Sequence, residues 1–216
     1  MSVKTRIFIV DDHPLLRRGL AELINREPDM VFCGEAEDSP SAMKSIAQIK
    51  PDLVIVDIAL KRGHGIDLVK EIKTHFPDVK TLVLSGFHES LYAERALRAG
   101  ALGYLNKQES SEKMLVAIRT CLDGNRYVSP EITERLVGKA LNNTDIVARP
   151  IDQLTDRELE IFRMIGHGMS TGVIANDLFL STHTIDTHRE NIKRKLGLKN
   201  AAELTRAAVQ WILEAS

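Results

Sequence analysis

Over roughly the first 120 residues, short β-rich runs alternate with longer amphipathic stretches, and past about residue 145 the β-rich runs stop. The runs are "RIFIV" (6–10), "MVFCGEA" (30–36), "DLVIVD" (52–57), "KTLVLS" (80–85) and "LGYL" (102–105). Between them apolar residues recur at helical spacing, as in Leu15, Leu16, Leu20, Leu23 and Ile24, and again in Ile66, Leu68, Val69 and Ile72. That alternation makes a parallel sheet with helices on both faces, and all-apolar runs such as "LVIV" suit strands buried on both sides. A helical stretch from Ser110 to Asp123 completes five βα units, so residues 1–123 read as a doubly wound α/β domain.

Residues 124–150 read as a linker that contains one short helix, from Pro130 to Leu141, followed by the aperiodic "LNNTDIVARPI" (141–151). Residues 151–216 hold only helical periodicity, with helices expected over 155–167, 170–178, 182–196 and 200–213. Thr155 and Glu158 form a capping-box pattern that starts the first of these. A chain of 216 residues has length enough for two such cores.

No apolar run approaches the roughly 20 residues that span a bilayer, and "MSVKTRIFIVDDHP" has too short an apolar run for an export signal, so a cytoplasmic location with no membrane partner is expected. Cys33 and Cys121 lie in apolar periodic segments without partners at metal-ligand spacing and read as reduced core thiols. A formal net charge of -1 gives no global attraction for nucleic acid, so binding to a polyanion must rest on a local patch.

In a doubly wound sheet, ligands sit beyond the carboxyl ends of the strands. The first run ends in Asp11 and Asp12, the third in Asp57 and the fourth in Ser85, and the fifth runs into Lys107. If the fold is right, these five converge. Three carboxylates held together repel one another, and a hard divalent cation, Mg²⁺ above all, is the usual way to hold them. An amine and a hydroxyl beside them suit a phosphoryl group, and a carboxylate can be its acceptor. His13 is either a proton carrier or a residue lining the first helix. Neither the D-x-H-x-x-G of a cobalamin site nor a G-x-G-x-x-G after the first strand is present.

In the helical part, the second and third helices meet at a short turn, Leu180–Ser181, which is helix-turn-helix geometry. Ile185, Ile192 and Leu196 should face the core of the third helix, leaving His183, Asp186, Thr187, Glu190 and Arg194 outward. Arg189, Lys193, Lys195 and Lys199 supply basic flanks for a phosphate backbone, and Thr184 joins the expected DNA-contacting set. Two acids on that face are unusual. Asp186 could pair with Arg189 and Glu190 with Arg194, each pair worth a few tenths of a kcal/mol, or a carboxylate could accept from a cytosine amino group. On the last helix, Leu204, Ala208 and Trp211 share one side that is either a partner surface or core.

The stretches "IVDDHP", "DLVIVDIAL", "LVLSG" and "GALGYLNK" resemble the receiver domain of bacterial response regulators, and "LTDRELEIFRMIGHGMSTGVIANDLFLSTHTIDTHRENIKRKLGL" resembles a LuxR-type helix-turn-helix. Together they resemble the NarL/FixJ family of transcriptional regulators over nearly the whole chain. The resemblance implies strand order 2-1-3-4-5 and phosphorylation of Asp57 by a sensor histidine kinase. It also implies Mg²⁺ held by Asp12, Asp57 and the backbone carbonyl of Ala59, with Asp11 acting through metal-bound water, and Ser85 and Tyr104 as a switch pair. The partners it implies are double-stranded promoter DNA, RNA polymerase and, in the phosphorylated state, a second copy of the chain, with the first and fifth helices as candidate surfaces. No enzyme activity toward another molecule is implied. The rival reading is a signalling adaptor that binds protein in place of DNA.

Three departures stand out. Leu60-Lys61 replaces the common Met-Pro after Ala59, which leaves the "ALKRGHG" loop without a fixed φ. Gln108 follows Lys107 where many relatives have Pro, and a cis bond there would cost roughly 3 kcal/mol. Asp186 and Glu190 stand where some relatives carry Lys. Ala59 and Phe87, each two residues beyond a site residue, are apolar and would exclude the attacking water, so a phosphorylated form lasting hours rather than seconds is expected.

Overall fold

The computed structural model describes residues 4–141 and 150–215. Five strands, β1 (Thr5–Val10), β2 (Met30–Ala36), β3 (Leu53–Val56), β4 (Lys80–Ser85) and β5 (Gly103–Asn106), form one sheet in the order β2-β1-β3-β4-β5, with every pair parallel. Helices α1 (Pro14–Arg26), α2 (Ser39–Ile49), α3 (Gly65–His75), α4 (Glu89–Ala99) and α5 (Ser111–Leu122) alternate with them. Each expected βα unit is present, with strand ends within one residue of the periodic runs.

The pleat divides the core. Ile7, Ile9, Leu53, Ile55, Leu82 and Leu84 pack with Leu20 and Ile24 of α1 and Met114, Ile118 and Cys121 of α5. The alternate residues Phe8, Val10, Val54 and Val56 point to the other face and are also fully buried. A one-residue slip would exchange these sets, so burial on both faces leaves register to the backbone pairing. That pairing sets Val10 opposite Val56 and Ser85 opposite Asn106. Ladder-like bonds then continue past the strand ends: Asp57 N–H donates to Val10 O at 2.8 Å and Lys107 N–H to Ser85 O at 2.9 Å. The Lys107–Gln108 peptide is trans, as are all peptides among the described residues. Cys121 is buried and Cys33 half-buried, both as free thiols.

After α5 the chain turns back along β5. Tyr127 N–H donates to Leu102 O at 3.0 Å, and Tyr104 N–H donates to Tyr127 O at 2.9 Å. The short helix foreseen after it is α6 (Pro130–Leu141), and it packs on α4. Ser129 N–H donates to Glu89 at 2.9 Å, while Arg135 donates to Ser90 O at 3.1 Å and pairs with Glu94 at 3.3 Å. The first compact unit runs Met1–Asn143 and the second Thr144–Ser216. Most of the expected aperiodic stretch, 142–149, lies outside the described residues.

The second unit opens with a 3-10 turn (Pro150–Gln153) and contains α7 (Asp156–Gly166), α8 (Thr171–Asp177), α9 (Thr182–Leu196) and α10 (Ala201–Ala215). Both halves of the Thr155/Glu158 capping box form. Ser170 and Ser181 cap α8 and α9 by accepting from Val173 N and Thr184 N, and Gly197 ends α9 at φ 67, a left-handed conformation that glycine adopts without Cβ strain. The last helix resolves the choice left by the sequence. Leu204 and Ala208 are fully buried and Trp211 meets Phe162 of α7 at 5.7 Å between ring centroids, so this side is core. A Cβ on Gly166 would lie 2.6 Å from Ala208 O, which explains why α7 ends in a residue without one.

Candidate functional site

The continued ladder beyond β1 and β3 puts Asp11 and Asp57 side by side at the carboxyl end of the sheet, and both are buried. Lys107, carried there by β5, places Nζ 2.6 Å from Asp57 Oδ2 and 2.7 Å from Asp11 Oδ2. One ammonium thus serves two buried carboxylates, with Asp12 as a third beside them. Burial pushes the Asp57 carboxyl up to about 6 despite Lys107, and the charge of Asp11 adds to the rise. For Lys107, burial is outweighed by Asp57 and Asp11, and its ammonium is held above the ordinary lysine range.

Asp11, Asp12, His13 and Asp57 each offer a ligand atom, and these atoms all lie within 4.8 Å of one another. His13 Nδ1 is 2.7 Å from Asp12 Oδ1 but off the direction a hydrogen bond requires, so that solvent-shielded oxygen accepts none. A carboxylate-rich donor set with an orphaned oxygen fits a hard divalent cation. Of the two sequence readings of His13, the structure turns its ring toward the acids. His64 and His88 occupy the same N-cap position on α3 and α4, and their rings accept from backbone N–H groups of their own helices. The His13 ring makes no such bond and its backbone N–H instead donates to Asp11 Oδ1 at 2.8 Å. Ala59 lies half-buried in the irregular segment that leads from Asp57 to α3.

Ser85 is fully buried at the end of β4, where its Oγ accepts from Phe87 N–H at 3.2 Å. Tyr104 is 1% exposed, and its hydroxyl donates to Phe87 O at 2.8 Å. The ring therefore lies inward, and burial holds the phenol well above its ordinary range. Asn106 Nδ2 donates to the same carbonyl at 3.1 Å, and the Phe87 ring stacks on Tyr92 at 5.0 Å. Phe87 is half-buried beside the pocket and joins it to α4.

In the second unit, Ile185 and Ile192 anchor α9 in the core, with Leu196 half-buried. His183, Asp186, Thr187, Glu190 and Arg194 are all exposed, while Thr184, Arg189 and Lys193 are half-buried along the edges. The ion pairs differ from those expected. Glu190 pairs with Lys193 at 2.8 Å and Arg194 donates to Asn191, because the i,i+3 rotamers meet and the i,i+4 ones do not. Asp186 and Arg189 form no ion pair among the described residues. Lys195 is also not free for a phosphate: its Nζ lies 2.6 Å from Glu158 Oε2 on α7, a carboxylate that is 4% exposed. A contact across 37 residues leaves no local sequence signal.

Residues 7–119 match the family described as response regulator receiver domain, and residues 152–208 match bacterial regulatory proteins, luxR family. The chain is 35% identical over 210 residues to the oxygen regulatory protein NreC of Staphylococcus carnosus, covering 95% of this chain and 97% of that one. Among solved structures it resembles a LuxR-family two-component response regulator from Aurantimonas, at 31% identity and TM-score 0.59, over 65% of this chain and all of that one. It also resembles RcsB of Salmonella enterica serovar Typhimurium bound to promoter rprA with the phosphomimetic BeF3-, at 25% identity and TM-score 0.63, over 94% of this chain and 98% of that one.

Proposed function

Because this chain belongs to the response regulators that join a receiver domain to a LuxR-type helix-turn-helix, we propose that phosphorylation of Asp57 by a sensor histidine kinase controls its sequence-specific binding to promoter DNA. The observation that carries this reading is Asp57 itself, a buried carboxylate at a strand end, held at 2.6 Å by a lysine it shares with a second acid. At neutral pH it is mainly the anion, as a nucleophile must be. One carboxylate oxygen attacks the phosphorus of a phosphohistidine, the P–N bond breaks, and the imidazole leaves with the electron pair. Lys107 then has a phosphoryl oxygen to neutralise, and the Ser85 hydroxyl, whose oxygen accepts from Phe87 N–H, can turn its proton to that group.

Asp12, Asp57 and the Ala59 carbonyl would hold Mg²⁺, with Asp11 through water, and the ion would offset charge on the transferring group. Movement of Ser85 toward the phosphoryl group draws on Phe87, and Tyr104 and Asn106 share the Phe87 carbonyl. A change in the pocket therefore reaches β5 and α4 through one peptide. Apolar Ala59 and Phe87 keep water from the phosphoryl group, giving a lifetime of hours.

For DNA, α9 is the helix that enters the major groove, with His183, Thr184, Asp186 and Thr187 toward the bases, Arg189, Lys193 and Arg194 toward phosphates, and Glu190 on the same face paired with Lys193. Two copies would present two such helices to two half-sites, with RNA polymerase as a further partner. RcsB, which is similar to this chain, has been seen as dimers bound to DNA. The test is DNA binding and oligomeric state with and without beryllofluoride, on wild type and Asp57→Ala. Beryllofluoride should strengthen salt-dependent binding in the wild type alone. No change in either property rejects control by phosphorylation, and absence of salt-dependent binding favours a protein-binding adaptor.

A further inference from the structure

We propose that Asp186 reads a cytosine in the major groove, and that Glu190, four residues on, does not. This rests on the reading of α9 as the DNA-recognition helix. The two acids share one exposed face yet have different surroundings. Glu190 is held by Lys193 at 2.8 Å, an arrangement that neutralises it. Asp186 has no ion pair and accepts no hydrogen bond among the described residues. Nor does it serve the helix: the first turn of α9 contains no acidic residue, and the cap is made by Ser181, whose Oγ accepts from Thr184 N–H at 3.0 Å. Asp186 lies one residue past the N-terminal turn, where neither free backbone N–H groups nor the helix dipole reward a carboxylate.

An unneutralised acid on the groove-facing side of a recognition helix weakens binding to a polyanion unless it meets a donor. The early residues of such a helix are the ones that approach base edges. In the major groove the donors are amino groups, N4 of cytosine and N6 of adenine. Adenine sets the N7 acceptor beside its amino group, which favours a side chain that both donates and accepts and repels one that only accepts. Cytosine presents an amino donor with no such acceptor at its own edge. Its chemistry therefore suits a carboxylate.

The test is selection from random duplexes with the full chain in beryllofluoride, wild type against Asp186→Asn and Glu190→Gln. One cytosine per half-site should be preferred about tenfold over thymine in the wild type and in Glu190→Gln. In Asp186→Asn that preference should fall to about twofold or move to adenine, with the other positions unchanged. The atom-level check replaces that cytosine with 2-pyrimidinone, which lacks the amino group. Wild-type affinity should drop about tenfold while Asp186→Ala loses nothing further. An unchanged logo in Asp186→Asn, or equal losses on 2-pyrimidinone for both proteins, overturns the assignment while leaving DNA binding intact. Failure of the wild type to select any sequence overturns the DNA-binding reading as well.

Discussion

Each compact unit sets a half-buried lysine 2.6 Å from a buried carboxylate, and the two arrangements have opposite consequences. In the second unit Lys195 meets Glu158, one charge against one, and Thr155 N–H donates to the same carboxylate at 2.8 Å. Burial by itself would raise Glu158, but the Lys195 and Thr155 bonds outweigh it and hold the carboxyl below its ordinary range. In the first unit Lys107 is shared between Asp57 and Asp11 with Asp12 nearby, and Asp57 is raised to about 6. A satisfied pair is a structural brace. A surplus of buried acid costs stability and leaves the pocket ready for a cation and a phosphoryl group.

The largest expected effect tests the brace. Lys195→Met leaves Glu158 buried without its cation and should destabilise the helical unit by roughly 3 kcal/mol in denaturant titrations. Asp57→Asn should do the reverse, stabilising the receiver without divalent ions by on the order of 2 kcal/mol at neutral pH, and added Mg²⁺ should shrink that gain. If Asp57→Asn destabilises under those conditions, the contrast between the units fails.

The pH dependences should also oppose one another. Because the folded Asp57 value lies above the unfolded 3.8, its favourable contribution is complete below 3.8 and is lost as pH rises through about 6. The Asp57→Asn gain in Tm should therefore grow between pH 4 and 7. Glu158 is depressed, so its contribution is present above the unfolded value of 4.5 and is lost as pH falls through the folded one. The Tm deficit of Glu158→Gln should accordingly shrink in acid. The smallest effect concerns the cap alone: Thr155→Ala should cost about 1 kcal/mol, and a cycle with Lys195→Met should show coupling because both residues bond Glu158.

Period and punctuation carry the elements of this chain. The limits of α9, 182–196, coincide with the periodic stretch because Ser181 and Gly197 mark its ends chemically. The pocket was legible for a related reason: its members stand at strand ends, and a parallel sheet gathers strand ends. What escaped were the interactions that no strand end gathers and that depend on a distant partner or on rotamer. Lys195 looked like one more phosphate contact until α7 brought Glu158 to it. Glu190 had basic residues at both i+3 and i+4, and only side-chain geometry selected Lys193. His13 could equally have capped its helix, as His64 and His88 do, and local pattern does not choose between that and a turn to the acids beside it.

The return of Tyr127 along β5 bears on how the receiver must be cut. Gly103 permits the approach, since a Cβ there would lie 2.9 Å from Tyr127 O. Without that segment, the N–H of Tyr104 and the carbonyl of Leu102 become an open strand margin, a template on which another chain can add. A fragment that stops at 123, where the βα alternation ends, exposes this margin. One that continues through α6 keeps it closed, so the longer fragment should stay monodisperse at concentrations where the shorter one self-associates.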